Sequence, residues 1–367
     1  MTFRTVGELI TKAKIEKCGD SKYPVLSMTM HDGIVFQDER FKKQIASIDQ
    51  STYNVVHRNQ LVVSFPIDEG VLAVQDITDA GIVSPAYKIW DVDQAEVIPK
   101  YLEMFLRSPH SIQYYKSKLR GSTARRRSIT DADLLGMEIP LGTKDEQTSI
   151  LNILEHTKRL INIRKQELAK LDELIKARFV EMFGGEKNLM AMSDICSIIT
   201  DGTHQPPKFK EDGIPFIFVS NITSDKLTYE AEKFIDQDTY NELVKRTPIE
   251  IGDVLLSTVG SYGHPAVVKS DKKFLFQRHI AYLKPKKEIV DSDYLHGAIL
   301  SPGAQRQIEQ GVKGIAQKTL NLSEIKKMRI PIPNMDKQKE FATFVAQVDK
   351  SKSRKELNYK TKKILAS

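Results

Sequence analysis

Two kinds of apolar pattern alternate along the chain. In two stretches, short β-rich runs are bounded by Gly, Pro, Asp and Asn. These runs are VVHRNQLVVSF and GIVSPAYKIW in the first stretch, and IPFIFVSNI, VLLSTVG, HPAVV and FLFQRHIAYL in the second. Each stretch also carries a helical pattern before its end, around 100–119 and 292–309. Each therefore predicts an α+β globular domain. Between and after them the period changes to that of a helix. Leu154, Thr157, Ile161, Arg164, Leu168, Leu171, Ile175, Arg178 and Met182 alternate by three and four, a heptad seam with some polar members. That helix opens near Thr143 or Asp145, where Thr143 with Glu146 supplies capping chemistry. No Gly or Pro interrupts it before Phe183, and it stops at Gly184 and Gly185. At 1.5 Å per residue it spans roughly 55–60 Å. A second helix runs from about Asp336 to Ser367. Phe341, Phe344, Val345 and Val348 start it, and a lysine-dense segment follows. A helix so polar needs a partner, and the first helix is the obvious one. The expectation is an antiparallel coiled coil, the competing reading being helices that lie on their own domains.

The order of elements repeats. Ile139-Pro140 followed by Asp145-Glu146-Gln147 returns as Ile330-Pro331 followed by Asp336-Lys337-Gln338, with the same spacing from Pro to Gln. Just upstream, SITDADLLGMEIP runs in step with TLNLSEIKKMRIP. Tyr101-Leu102 with Ser108-Pro109 returns as Tyr294-Leu295 with Ser301-Pro302, and Leu61-Val62-Val63-Ser64 as Val254-Leu255-Leu256-Ser257. The chain is thus read as an internal pseudo-two-fold repeat. Residues 1–143 form one globular domain, 144–185 a long helix, 186–334 a second similar domain and 335–367 a second long helix. The second helix ends about nine positions short of the place where the first reaches its glycine pair, which reads as a slight truncation.

Charge narrows the partners. The formal net charge of +7 favours a polyanion without requiring one. The two cysteines, Cys18 and Cys196, have neither metal-ligand nor disulfide-framework spacing. The N-terminus has no apolar signal core, and no run approaches the roughly twenty apolar residues of a membrane span, so a cytoplasmic location is expected. The sequence has no phosphate loop, no dinucleotide-binding glycine motif, no HExxH and no GxSxG. The string His204-Gln205-Pro206-Pro207-Lys208 lacks the amide and the aromatic of a methyltransferase loop. No catalytic residue and no metal site is singled out.

The candidate chemistry is that of binding. KSKLRGSTARRRS, residues 116–128, places Lys118, Arg120, Ser122, Arg125, Arg126 and Arg127 on a Gly- and Ser-containing loop. Such a loop suits phosphate oxygens, and an arginine can read guanine bidentately. The corresponding string of the second copy, 311–319, offers Lys313, Gln317 and Lys318. Gly260-Ser261-Tyr262-Gly263-His264 reads as a tight exposed turn after a strand, with Ser261, Tyr262 and His264 as polar tips. Asp201-Gly202-Thr203-His204 is a second such turn, contributing Thr203 and His204. The same residues also fit ordinary solvated loops, and a lone histidine is more often structural.

Taken together, the sequence resembles the specificity subunit of type I restriction-modification systems. The resemblance is carried by a globular domain ending in a Gly-Ser/Thr-basic segment, an Ile-Pro strand end and a Gln-bearing helix start, all twice. The start of the second domain, Asp201-Gly202-Thr203-His204 and then Gly213-Ile214-Pro215-Phe216, also looks like that family. The resemblance implies two target recognition domains, each reading half of a split double-stranded DNA site. It further implies helices that set the spacer and dock methyltransferase subunits, with endonuclease/translocase subunits joining them. S-adenosylmethionine, ATP and magnesium would be bound by those partners, and this chain would be non-catalytic with no cofactor of its own. The second copy departs from the pattern at Lys337, where the first has an acid. Two alternatives remain open: the recognition subunit of a type IIB-like enzyme, and a coiled-coil interaction protein that binds no DNA.

Overall fold

In a computed structural model, residues 2–40, 50–119, 127–314 and 317–366 are described, with Arg40 and 354–366 by backbone alone. The chain divides into two compact units, 1–160 and 161–367, so the division falls inside the first long helix, Lys144–Phe183.

Each unit is built around a four-stranded antiparallel sheet of the same order. In the first, the strands lie in the order Ile10–Lys12, Lys88–Val92, Leu61–Val63, Leu72–Val74. In the second they lie Cys196–Asp201, Ile280–Pro285, Val254–Ser257, Pro265–Val267. One central strand of each sheet, Leu61–Val63 in one unit and Val254–Ser257 in the other, is buried along its whole length. Their near-continuous apolar runs are those of strands covered on both faces. Each unit also closes with a two-stranded ribbon between its first strand and its Ile-Pro segment, Phe3 opposite Pro140 in the first and Met190 opposite Ile330 in the second.

The helical stretches read as single elements are each two helices. Pro99–Leu106 is followed by Pro109–Lys118, and Ser292–Leu300 by Pro302–Gly311. The break has one cause in both copies. Ser108 and Ser301 adopt extended backbone before a proline and accept from Ser111 N and Ala304 N, so each serine caps a new helix whose first residue is proline.

The repeated Ile-Pro-to-Gln motif is a buried bracket. Gln147 accepts from Ile98 N at 2.8 Å and donates to Glu96 O at 3.1 Å and Gly142 O at 3.0 Å. Gln338 accepts from Asp291 N at 2.9 Å and donates to Ile289 O at 3.0 Å and Pro333 O at 2.9 Å. Both glutamines are fully buried. The tyrosine of each copy completes the joint: Tyr101 Oη donates to Pro140 O at 2.7 Å and Tyr294 Oη to Pro331 O at 2.5 Å. The sheet domain is thereby fixed to the first turn of the long helix that follows it. That turn is capped as expected by Thr143 and Glu146 in the first copy. In the second, Lys337 leaves the helix no acid at that place, and Asn334 Oδ1 caps it instead by accepting from Lys337 N at 3.0 Å; the helix begins at Met335.

Within the second unit the end of the first long helix and the start of the second, Met335–Ala366, pack antiparallel. Phe179 and Phe183 meet Phe341, Arg178 pairs with Glu340 and Asp172 with Lys352. As positions fall along one helix they rise along the other, the arrangement expected from the heptads. Among the described residues no helix is long and apolar enough to cross a membrane. Cys18 and Cys196 are free and buried.

Candidate nucleic-acid interface

The second unit gathers most of its predicted residues at one end of its sheet. Asp201 pairs with Ala281, Ser257 with Ile280 and Leu256 with Pro265, so the strands end together and their connecting loops emerge side by side. The loops are tied by main-chain bonds. Thr203 N donates to Phe276 O at 2.9 Å and Arg278 N to Thr203 O at 3.1 Å. Thr258 N donates to His279 O at 2.9 Å, Leu320 N to Thr258 O at 2.8 Å and Gly260 N to Lys318 O at 3.2 Å. Gly202 permits the first of these approaches, because a Cβ there would lie 2.3 Å from Phe276 O. The two turns and the polar hairpin read separately in the sequence thus form one surface.

The individual residues differ in what they offer. Thr203 is half-buried, its backbone engaged with Phe276 and Arg278. His204 is exposed and stands 2.9 Å from Asp201, which also pairs with Arg246. Ser261 is exposed at the tip of its loop, while Tyr262 packs against the unit's core. Gly260 and Gly263, with φ of 73° and 83°, give the loop its left-handed turns. His264 turns inward: its Nδ1 lies 2.8 Å from Asp225 Oδ1, and its backbone N donates to Ser257 Oγ. It supports the loop rather than tipping it, contrary to its reading as an exposed polar tip. Lys313, Gln317 and Lys318 are exposed on the hairpin formed by Val312–Lys313 and Thr319–Leu320. Among the described residues neither lysine has an ion-pair partner.

Two residues not selected from the sequence belong here. Arg278 lies on the turn joining the Leu275–Phe276 and Ile280–Pro285 strands, with its side chain exposed, and Arg246 reaches Asp201 from a neighbouring short helix. Beside Arg278, His279 has its pKa lowered from the usual histidine value by burial first and by the Arg278 charge second, which favours the neutral ring.

The first unit uses the corresponding end of its sheet. Ile67 N donates to Arg127 O at 3.1 Å, the same main-chain joint as Gly260 to Lys318. The side chains at this joint differ. Arg127 Nη2 donates to Glu69 Oε1 at 2.6 Å, and its Nε stands 3.0 Å from Asp68 Oδ1 as an ion pair without hydrogen-bond geometry. Arg127 is therefore held by the protein's own carboxylates and anchors the end of the basic segment. Lys88 and Lys12 flank Asp131, at 2.5 and 3.6 Å, and the Lys88 hydrogen bond leads in holding that carboxyl below its usual range. Lys118 is exposed at the end of its helix, 5.8 Å from the Tyr114 ring centre. Arg120, Ser122, Arg125 and Arg126 lie outside the described residues.

Comparison with known proteins bears on this surface. Residues 186–361 match the family described as the type I restriction modification DNA specificity domain. The chain is 29% identical over 147 residues to the type I restriction enzyme EcoBI specificity subunit of Escherichia coli, covering 40% of this chain and 31% of that one. It is 20% identical over 257 residues to the type I restriction enzyme MjaVIII specificity subunit of Methanocaldococcus jannaschii, covering 62% and 60%. The matches span from about a third to three fifths of the length of these relatives. A solved chain described under "Structural basis underlying complex assembly and conformational transition of the type I R-M system" aligns over 100% of this chain and 95% of its own, with a TM-score of 0.61 at 17% identity, a likeness of fold. Most of the second unit is thus similar to a DNA specificity domain of the type I restriction-modification class. The chain resembles the specificity subunits of those systems, as its duplicated motifs indicated.

Proposed function

We propose that this chain is the sequence-specific DNA-binding specificity subunit of a type I restriction-modification complex and performs no catalysis itself. Each unit reads one half of a split duplex site through the loops at its sheet end. The long helices set the gap between the half-sites and dock methyltransferase subunits, and endonuclease/translocase subunits complete the assembly in the cytoplasm. S-adenosylmethionine, ATP and magnesium belong to those partners.

One observation carries the reading. The same frame of sheet, Tyr-to-Pro bond and Gln bracket occurs twice, while the side chains on the equivalent loops differ in charge and size. A conserved frame with unlike tips suits two sites that recognise different sequences on one kind of polymer. Exposed cations at the tips supply attraction to phosphate, which makes affinity fall with salt.

The test is methylome sequencing of cells expressing the chain with its methyltransferase, beside a variant whose residues 1–143 come from a relative. One half of the methylated motif is expected to change and the other to persist. A change in both halves, or in neither, refutes independent readout. Methyl transfer or strand cleavage by the purified chain alone refutes the non-catalytic role.

A further inference from the structure

We propose that Arg278 is the residue with which the second unit reads a guanine from the major groove of its half-site. This deepens the DNA-recognition reading and rests on it. The placement of Arg278 is unusual in its rigidity. Its own N–H is bonded to Thr203 O, the preceding Gln277 N donates to Ile217 O at 3.2 Å, and the following His279 carbonyl accepts from Thr258 N. Three separate segments therefore fix a turn of three residues. Gly202 lets one of them approach to a distance that any side chain would forbid. A guanidinium launched from such a backbone loses little freedom on binding, which is what a directional, two-bond contact needs.

Its electrostatics point the same way. Neighbouring Arg246 is tied to Asp201. Among the described residues Arg278 has no carboxylate partner, and its side chain makes one hydrogen bond, from Nε to His279 Nε2 at 3.4 Å. That contact needs the imidazole nitrogen as acceptor, hence a neutral His279, so the ring orients the guanidinium without adding charge. Lys313 and Lys318 stand on the adjoining hairpin, exposed and without ion-pair partners among the described residues. A division of labour follows: flexible lysines hold phosphates, and the fixed arginine fork faces the O6 and N7 acceptors that only guanine presents together. Arg246 is a positioning residue, holding Asp201 and through it His204. In the first unit the position equivalent to Arg278 is Pro85, which has no donor, so that unit must read its half-site through other groups.

The experiment is selection of bound duplexes from a random-sequence pool by the full chain, as wild type, Arg278→Ala, Arg278→Lys and Lys318→Ala. Fold is checked by circular dichroism and binding repeated across salt concentrations. Wild type should enrich a two-part motif in which replacing one G·C pair of the second half costs about 10- to 100-fold in affinity. Arg278→Ala should bring that penalty to within about twofold and leave the other positions unchanged. Arg278→Lys, which keeps the charge but loses the fork, should lose the same discrimination even if the alanine variant misfolds. Lys318→Ala should weaken all sequences alike and flatten the salt dependence. An unchanged motif in both Arg278 variants overturns the assignment while leaving DNA recognition standing. So does a uniform loss of affinity with a reduced salt slope, which makes Arg278 a phosphate contact. A wild-type chain that enriches no motif refutes the recognition role itself, and Arg278 with it.

Discussion

Gln338→Met keeps the length of the side chain but removes one acceptor and two donors from a fully buried position. It strands Asp291 N–H and the carbonyls of Ile289 and Pro333, which the glutamine now meets at 2.9, 3.0 and 2.9 Å. A buried group left without a partner costs on the order of 1–3 kcal/mol. Three such groups, with some relaxation and a small return from burying a thioether, should cost about 3–5 kcal/mol, a large share of a domain's stability. Gln147→Met removes the matching bonds to Ile98, Glu96 and Gly142. The two variants can be told apart because the chain's single tryptophan, Trp90, is buried in the first unit. In urea titrations, Gln147→Met should move the fluorescence transition of Trp90. Gln338→Met should move the far-UV circular dichroism transition and leave the Trp90 signal within about 1 kcal/mol of wild type. Hydrogen exchange gives a local readout: the Asp291 amide should lose protection in Gln338→Met only. A loss under about 1 kcal/mol with Asp291 still protected would refute the bracket as the joint between sheet and helix.

Other outcomes follow from the helix pair and from the second unit. Lys352 is nearly buried between Asp172 and Asp349. Lys352→Met should therefore be within about 1 kcal/mol of wild type by denaturation, whereas Asp172→Ala, which strands much of a buried charge, should cost more, about 1–2 kcal/mol. His296 donates from Nε2 to Asp225 O at 2.8 Å, and burial holds its pKa below the ordinary value, against the opposing pull of Asp225, Asp293 and Asp349. The folded form thus disfavours the charged ring. Its contribution is complete above about pH 6.5, is lost as pH falls below that value and levels once the folded protein also takes up the proton. Unfolding titrations from pH 8 to 5 should show a flatter profile for His296→Gln, and equal slopes would refute the role of His296. Inserting four residues after Lys170 lengthens the first long helix by roughly 6 Å. Methylome sequencing should then show a spacer longer by one or two base pairs, about 3.4 Å each, with unchanged half-sites; the original spacing would show that the helix is not the ruler.

The frame was legible because it is written in side chains that satisfy backbone groups. Ile-Pro followed at fixed spacing by Gln, and Tyr-Leu followed by Ser-Pro, recur because each copy must close the same hydrogen bonds. What the motif does was harder to read: Gln147 and Gln338 looked like helix openers and are buried brackets. The Ser-Pro break inside each helical stretch was available from local chemistry, since a serine before proline both ends one helix and caps another. The site was less legible, for a physical reason. Arg127 is claimed by Asp68 and Glu69, and His264 by Asp225, partners far away in sequence. Arg278 sits inside an apolar run that reads as a strand, and its value depends on contacts to Thr203 and Thr258 that no local pattern records.

How can one frame carry two specificities? The loop joint is closed by main-chain bonds in both units, Ile67 N to Arg127 O and Gly260 N to Lys318 O. Main-chain bonds place little demand on side-chain identity beyond a donor N–H and, at Gly260, a left-handed φ, so the acceptor residues Arg127 and Lys318 and their surroundings are free to diverge without loosening the joint. They have diverged in charge. In the first unit two carboxylates neutralise the joint's arginine; in the second a glycine leaves open space beside an unpaired lysine, among the described residues. The Arg127–Glu69 pair is partly exposed and contributes little to stability, on the order of 0–1 kcal/mol; Asp68 is buried, so its charge and that of Arg127 exchange at small cost only when they change together. Exchanging them therefore alters the field presented to a polyanion far more than it alters folding. A scaffold with that property can change what it reads while leaving intact the sheet, the bracket and the helices that follow.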